Sequence, residues 1–120
     1  MICNIAQEEF EEYVAAVLKL YLQLPETPSK ANANDRKTVA TLYARRVTLA
    51  TVESAFLLAS VRRLGRSPDM PPLSPVRSLA YFLPVVQELL DNPIPADYLG
   101  YLRMKVRSLS SGNRNLRKCG

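Results

Sequence analysis

Histidine is absent from this 120-residue sequence. Its absence removes the usual general base near neutral pH and the commonest protein metal ligand. The four glycines (Gly65, Gly100, Gly112 and Gly120) stand isolated, so no glycine-rich phosphate loop is present. Cysteine occurs only at Cys3 and Cys119, without metal-ligand spacing. The start, Met1-Ile2-Cys3-Asn4, has neither a basic opening nor a long apolar region, so no signal peptide is expected. The two cysteines are accordingly expected as reduced thiols in a cytoplasm. No apolar run approaches the roughly 18 to 20 residues that span a bilayer, so no membrane partner is expected. Serine and threonine hydroxyls have no histidine to activate them. These absences argue against an enzyme and against any metal or cofactor. Glu8, Glu9 and Glu12 lie at helical spacing, but nothing else supplies ligands, and they read as a solvated acidic face.

Acids are also missing from one end. Through residue 26 five acids face Lys19 alone, a balance of −4, while from residue 27 onward fifteen bases face six acids, a balance of +9. After Asp97 there is no acid, and Arg103, Lys105, Arg107, Arg114, Arg117 and Lys118 follow. Such asymmetry points to a polyanionic partner, DNA or RNA, for the basic part.

At this length a single domain with its own core is expected, and the 48% apolar content suits a globular protein. Apolar residues recur with helical spacing at Phe10, Tyr13, Val14, Val17, Leu18, Tyr21 and Leu22, predicting a helix from about 6 to 23 with Asn4 as cap. Pro25 and Pro28 end it. A second helix is expected from about Asp35 to Arg46, and a third from the Thr48 cap to Leu64, stopped by Gly65. Beyond a proline-rich connector, Ser74-Pro75 reads as the start of a fourth helix reaching Leu90. Pro84 interrupts it, predicting a kink or two shorter helices. A fifth runs from about Ala96 to Leu109, with Tyr98, Leu99, Leu102, Val106 and Leu109 on one side. No strand-period alternation persists, so the fold class is all-α: a compact bundle of about five helices over residues 1–109, followed by a disordered, flexible basic tail over 110–120.

The stretch Val47-Thr48-Leu49-Ala50-Thr51-Val52 looks like the turn and second-helix start of a helix-turn-helix DNA reader. Arg46, however, stands where such turns favour glycine. The residues placed to read bases would be Leu49, Ala50, Glu53 and Ser54, of which only Glu53 offers more than methyl or hydroxyl contacts. Ala55-Phe56-Leu57-Leu58-Ala59 is apolar all round, which places helix three at the centre of the bundle.

The candidate nucleic-acid-binding residues are therefore bases that meet phosphates: Arg45 and Arg46 ending helix two, Arg62, Arg63 and Arg66 ending helix three, and Arg103, Lys105 and Arg107 on helix five. Tyrosines could add stacking, and Tyr101 stands out because it lies off the apolar stripe of helix five and beside Arg103.

Leu42-Tyr43-Ala44-Arg45-Arg46, the alanine- and leucine-rich helix that follows, and Pro75-Val76-Arg77-Ser78-Leu79-Ala80-Tyr81-Phe82-Leu83-Pro84 together form a recognisable combination. Over roughly residues 35 to 90 it resembles the helical accessory regions of replication proteins from plasmids and other mobile elements. Winged-helix strands and ATPase loops are lacking, so the resemblance implies a nucleic-acid-associated accessory module. The alternative reading is a protein-interaction adaptor or homo-oligomeric subunit. It would present Tyr81, Val85 and Leu89, or Leu79, Phe82, Val86 and Leu90, to a protein partner or to a second copy in a homodimer.

Overall fold

A computed structural model describes the backbone of residues 2–67, 69–71 and 73–119, and side chains within residues 8–110. The described residues form five α-helices and one short 3₁₀ helix, with no strand among them. The helices are α1 (Ile2–Gln23), α2 (Ala33–Ala44), α3 (Leu49–Leu64), α4 (Leu83–Asp91) and α5 (Tyr98–Cys119). The chain is all-α, as its periodicity predicts.

Helix α1 begins upstream of Asn4, which therefore lies inside it rather than capping it. At its other end Pro25 follows closely, and the Thr27 hydroxyl donates to the Tyr21 and Leu24 carbonyls at 3.0 and 2.7 Å, taking up acceptors that the helix leaves free. Helix α2 starts two residues before Asp35 because Asn32 is its cap. Asn32 Oδ1 accepts from the Asp35 amide at 2.9 Å, and Asp35 Oδ2 accepts from the Asn32 amide at 3.0 Å, a reciprocal capping box.

The bend from α2 to α3 is tight. Arg46 takes a left-handed φ of 60°, the Arg46 and Val47 amides donate to the Tyr43 and Leu42 carbonyls, and Thr48 caps α3 through the Thr51 amide. The glycine expected at such a bend is replaced by an arginine that carries a backbone cost of about 1–2 kcal/mol.

The fourth helix departs from the expectation. No helix starts at Pro75, and the Val76 amide donates instead to the Glu26 carbonyl at 2.9 Å, tying the connector to the end of α1. Helical backbone begins after Ser78, whose hydroxyl accepts from the Ala80 amide, as the 3₁₀ helix Leu79–Phe82. A new α-helix then opens at Leu83. Pro84 thus falls in the first turn of α4, where its missing N–H leaves no bond unmade. Of the two outcomes expected of Pro84, two shorter helices is the one realised. Helix α5 continues past the Leu109 boundary expected for it. The tail expected over 110–120 falls almost wholly on side chains outside the described residues.

Helix α3 is the centre. Val52, Ala55, Phe56, Leu57 and Ala59 are buried around its circumference, and α1, α4 and α5 all pack on it. Tyr21, Phe56 and Phe82 meet in the middle, with ring centroids 4.9 to 6.4 Å apart, among Val17, Leu42, Leu79 and Val86. A smaller cluster of Leu57, Leu102 and Val106 seats α5. Fully buried within the main core lies Asp35. Its second oxygen, Oδ1, accepts from the Leu79 amide at 2.9 Å, which joins the start of α2 to the start of the 3₁₀ helix.

Two variants test this arrangement by thermal or urea unfolding. Asp35→Ala strands the buried Leu79 amide and half of the capping box, and is expected to cost about 3 kcal/mol. The Tyr21 hydroxyl is buried with no hydrogen-bond partner among the described residues. Tyr21→Phe keeps the ring and removes the orphaned group, so stability is expected to hold or to rise by up to about 1 kcal/mol.

Candidate nucleic-acid interface

The eight candidate bases lie on two helix ends and one helix face, and they differ in what already holds them. Arg62, near the end of α3, makes a bidentate pair with Glu88 of α4 at 2.9 and 2.6 Å. The Arg62 hydrogen bonds hold the Glu88 carboxyl below the usual carboxylate range. Arg63 is almost enclosed, its side chain only 6% exposed. It bonds Glu26 at 2.6 Å, the Ser74 carbonyl at 2.7 Å and the Tyr81 hydroxyl at 3.2 Å, and lies 5.2 Å from the centroid of the Tyr81 ring. Burial works against its charge, but the bonds to Tyr81 and Glu26 outweigh that and raise its pKa. Arg63 is therefore a clasp across α1, α3 and the connector, and a phosphate could reach it only by displacing Glu26.

Arg45 is exposed and donates to Gln87 of α4 at 2.8 Å, and Arg66 donates to the Pro71 carbonyl at 3.1 Å. Arg46 is exposed at the α2–α3 bend, and its side chain makes no hydrogen bond or ion pair among the described residues. Arg103, on α5, forms a bidentate pair with Glu53 of α3 at 2.8 and 2.9 Å. Lys105 and Arg107, on the same helix, are exposed and have no partner among the described residues.

These positions do not form one continuous surface. Glu53, which receives Arg103, and Arg62 are nine residues apart on α3, so they project about 180° apart around its axis. Arg62 thus faces α4 on one side of the bundle, while Arg103 joins α5 on the other. The three carboxylate partners lie 26 to 50 residues from their arginines, and no spacing in the sequence signals them. Glu53, the one candidate base reader with a useful acceptor, is consumed by Arg103. Ser54 is buried at 7% exposure, which leaves Leu49 and Ala50 as the exposed start of α3. Of the helix-turn-helix expectation, the tight bend before α3 is present, and of the four expected readers only Leu49 and Ala50 are exposed.

Helix α5 provides an extended cationic face; α2 and its C-cap also expose Arg36, Lys37 and Arg45, none of them paired with a carboxylate among the described residues. Leu102 and Val106, one turn apart, are buried against α3, with Leu99 and Leu109 half-buried beside them. Away from that stripe the helix exposes Tyr98, Tyr101, Met104, Lys105 and Arg107. Tyr98 was placed on the apolar stripe by spacing, but it stands at the stripe's edge, 41% exposed, with its ring tilted 34° against that of Tyr101 at 5.1 Å. On the far edge, Arg103 and Arg107 border a cleft of about 540 Å³ between the end of α1 and α5, floored by Leu20, Leu24, Phe56 and Leu57. The apolar residues proposed for an adaptor face are mostly covered. Leu79, Phe82, Val86 and Leu89 are buried and Val85 is half-buried, while Tyr81 and Leu90 remain exposed.

Among the described residues no cluster of three or more His, Cys, Asp or Glu side chains could hold a metal ion. None of the described helices is long and apolar enough to cross a membrane. No protein-family model, curated protein or solved structure matches the chain.

The Arg62–Glu88 pair gives a pH prediction. The carboxyl pKa is lowered in the folded state, so the pair's contribution is complete above the ordinary carboxylate range and is lost as pH falls through the depressed value. In a carboxyl-carbon NMR titration Glu88 is expected to protonate later on acidification than an exposed glutamate. Arg62→Ala is expected to return it to the ordinary range.

Proposed function

We propose that this protein is a small nucleic-acid-binding accessory protein that contacts the phosphate backbone of DNA or RNA electrostatically, with the outer face of α5 as its main contact surface. The observation that carries this reading is the placement of Lys105 and Arg107. Both are exposed and free of carboxylate partners, on a helix that follows the last acid in the chain. Arg103 stands beside them, presented at the helix edge by Glu53. Arg114, Arg117 and Lys118 continue the basic run in the sequence. Arg46, Arg45, Arg66 and Arg62 serve as peripheral contacts, and Arg63 is assigned to the clasp rather than to phosphate.

A face of this kind supplies affinity without base selectivity, because a phosphate is the same beside every base. The likeness of residues 35–90 to helical accessory regions of mobile-element replication proteins points to the same class of partner, and with it to a cytoplasmic setting. No catalysis belongs to the proposal, since nothing on α5 is an acid–base pair or an activated nucleophile.

A second reading, an adaptor or homodimer, draws on Tyr98, Tyr101 and Met104, large apolar groups left in water on the same helix. Its signature is a dimer in light scattering that salt does not disturb.

Fluorescence anisotropy against salt concentration tests the main reading. With three to five phosphate contacts, log K on duplex DNA is expected to fall against log salt with a slope of about −2.7 to −4.5. Lys105→Glu with Arg107→Glu is expected to lower affinity at least tenfold and to flatten that slope by about two. Absence of binding to DNA and RNA at low salt would sink the proposal.

A further inference from the structure

The outer face of α5 carries more than charge. Tyr98, Tyr101 and Lys105 occupy positions i, i+3 and i+7, so they form one line along the helix. Gly100, Met104 and Arg107 form a second line beside it. The two tyrosine rings are 41% and 48% exposed, yet neither hydroxyl has a partner within the described residues, and the rings lie against each other at a shallow tilt. A Cβ placed on Gly100, at the start of the second line, would meet nothing within 4 Å, so the surface there is open. Large aromatic faces in water are costly unless something covers them.

Lys105 and Arg107 stand about 160° apart around the helix. The exposed strip between them carries Tyr101, Met104, Gly100 and Ser108, and Tyr98 lies just beyond Lys105 on the side nearer the buried stripe. A duplex presents phosphates to such a face but keeps its base faces stacked inside. An unpaired strand presents both, and its phosphates match the cations while its bases match the rings.

We infer that α5 binds single-stranded nucleic acid, with Tyr98 and Tyr101 stacking on bases and Lys105 and Arg107 holding the flanking phosphates. The inference rests on the basic-face reading above and narrows it to one substrate class. Stacking of this kind tolerates every base, so the site selects strandedness rather than sequence.

The test is anisotropy with fluorescein-labelled thymidine and uridine homopolymers of about 15 nucleotides, and with a mixed-sequence DNA duplex of equal length, at one salt concentration. The wild-type protein is expected to bind either single strand at least tenfold more tightly than the duplex. Tyr98→Ala with Tyr101→Ala is expected to lose tenfold or more on single strands and less than about twofold on the duplex. Tyr98→Phe with Tyr101→Phe keeps the ring faces and is expected to retain the preference. Both tyrosines are outside the core, so unchanged circular dichroism and melting temperature are expected of each variant.

Equal affinity for strand and duplex, or alanine variants that bind single strands normally, overturns the inference and leaves the phosphate-contact reading standing. No binding to any probe overturns both. A dimer that the alanine variants convert to monomer, with strand binding unaffected, also overturns it and assigns the tyrosines to contact between copies.

Discussion

Much of the structure depends on one buried carboxylate. Asp35 is wholly enclosed, and each of its oxygens accepts an amide hydrogen. One amide belongs to its own helix start. The other belongs to Leu79, 44 residues further on, at the start of the segment that carries Phe82 into the core. An acid at a helix N-terminus is also where the helix dipole favours negative charge. Asp35 therefore sets where α2 begins and where the connector returns to the bundle. The register of Leu79, Phe82 and Val86 against Phe56 of α3 follows from that return.

Three arginine–carboxylate pairs complete the assembly from outside the core. Arg63–Glu26 closes the end of α1 over the connector, Arg62–Glu88 joins α3 to α4, and Arg103–Glu53 joins α3 to α5. The first is largely enclosed. The other two arginines are half exposed, and pairs of that kind contribute little to stability while restricting geometry. These pairs also redistribute charge. A chain with sixteen bases and eleven acids presents its unpaired cations unevenly. One basic face that remains is on α5, where no acid follows Asp97 and where two tyrosines share the surface.

The third helix was legible almost to the residue. Thr48 caps it, Gly65 follows it, and its apolar centre announces that it is surrounded. Those signals are local, because a cap reads only the next turn and a periodicity reads only one helix. The fourth helix was misplaced for the complementary reason. Ser74-Pro75 has the local form of a helix start, but the Val76 amide is drawn to Glu26 and the Ser74 carbonyl to Arg63, both distant in sequence. Asp35 was legible as a helix-start residue but not as a core residue, since nothing near it names Leu79 as its partner. The basic residues were legible as a class. Which of them are already engaged was not, because Glu26, Glu53 and Glu88 come from other helices.

By itself, then, the sequence determined an all-α chain, the position and central place of α3, the break at Pro84 and the accumulation of positive charge after Asp97. Each of these follows from residue type and short-range spacing. Tertiary structure decided where the connector becomes helical, that Arg63 is a clasp, that Arg62 and Arg103 lie on opposite sides of α3, and that Tyr98 joins Tyr101 at the surface. Each of those depends on two segments meeting across tens of residues. Folding energy, rather than any local preference, chooses which donors and acceptors are left facing water.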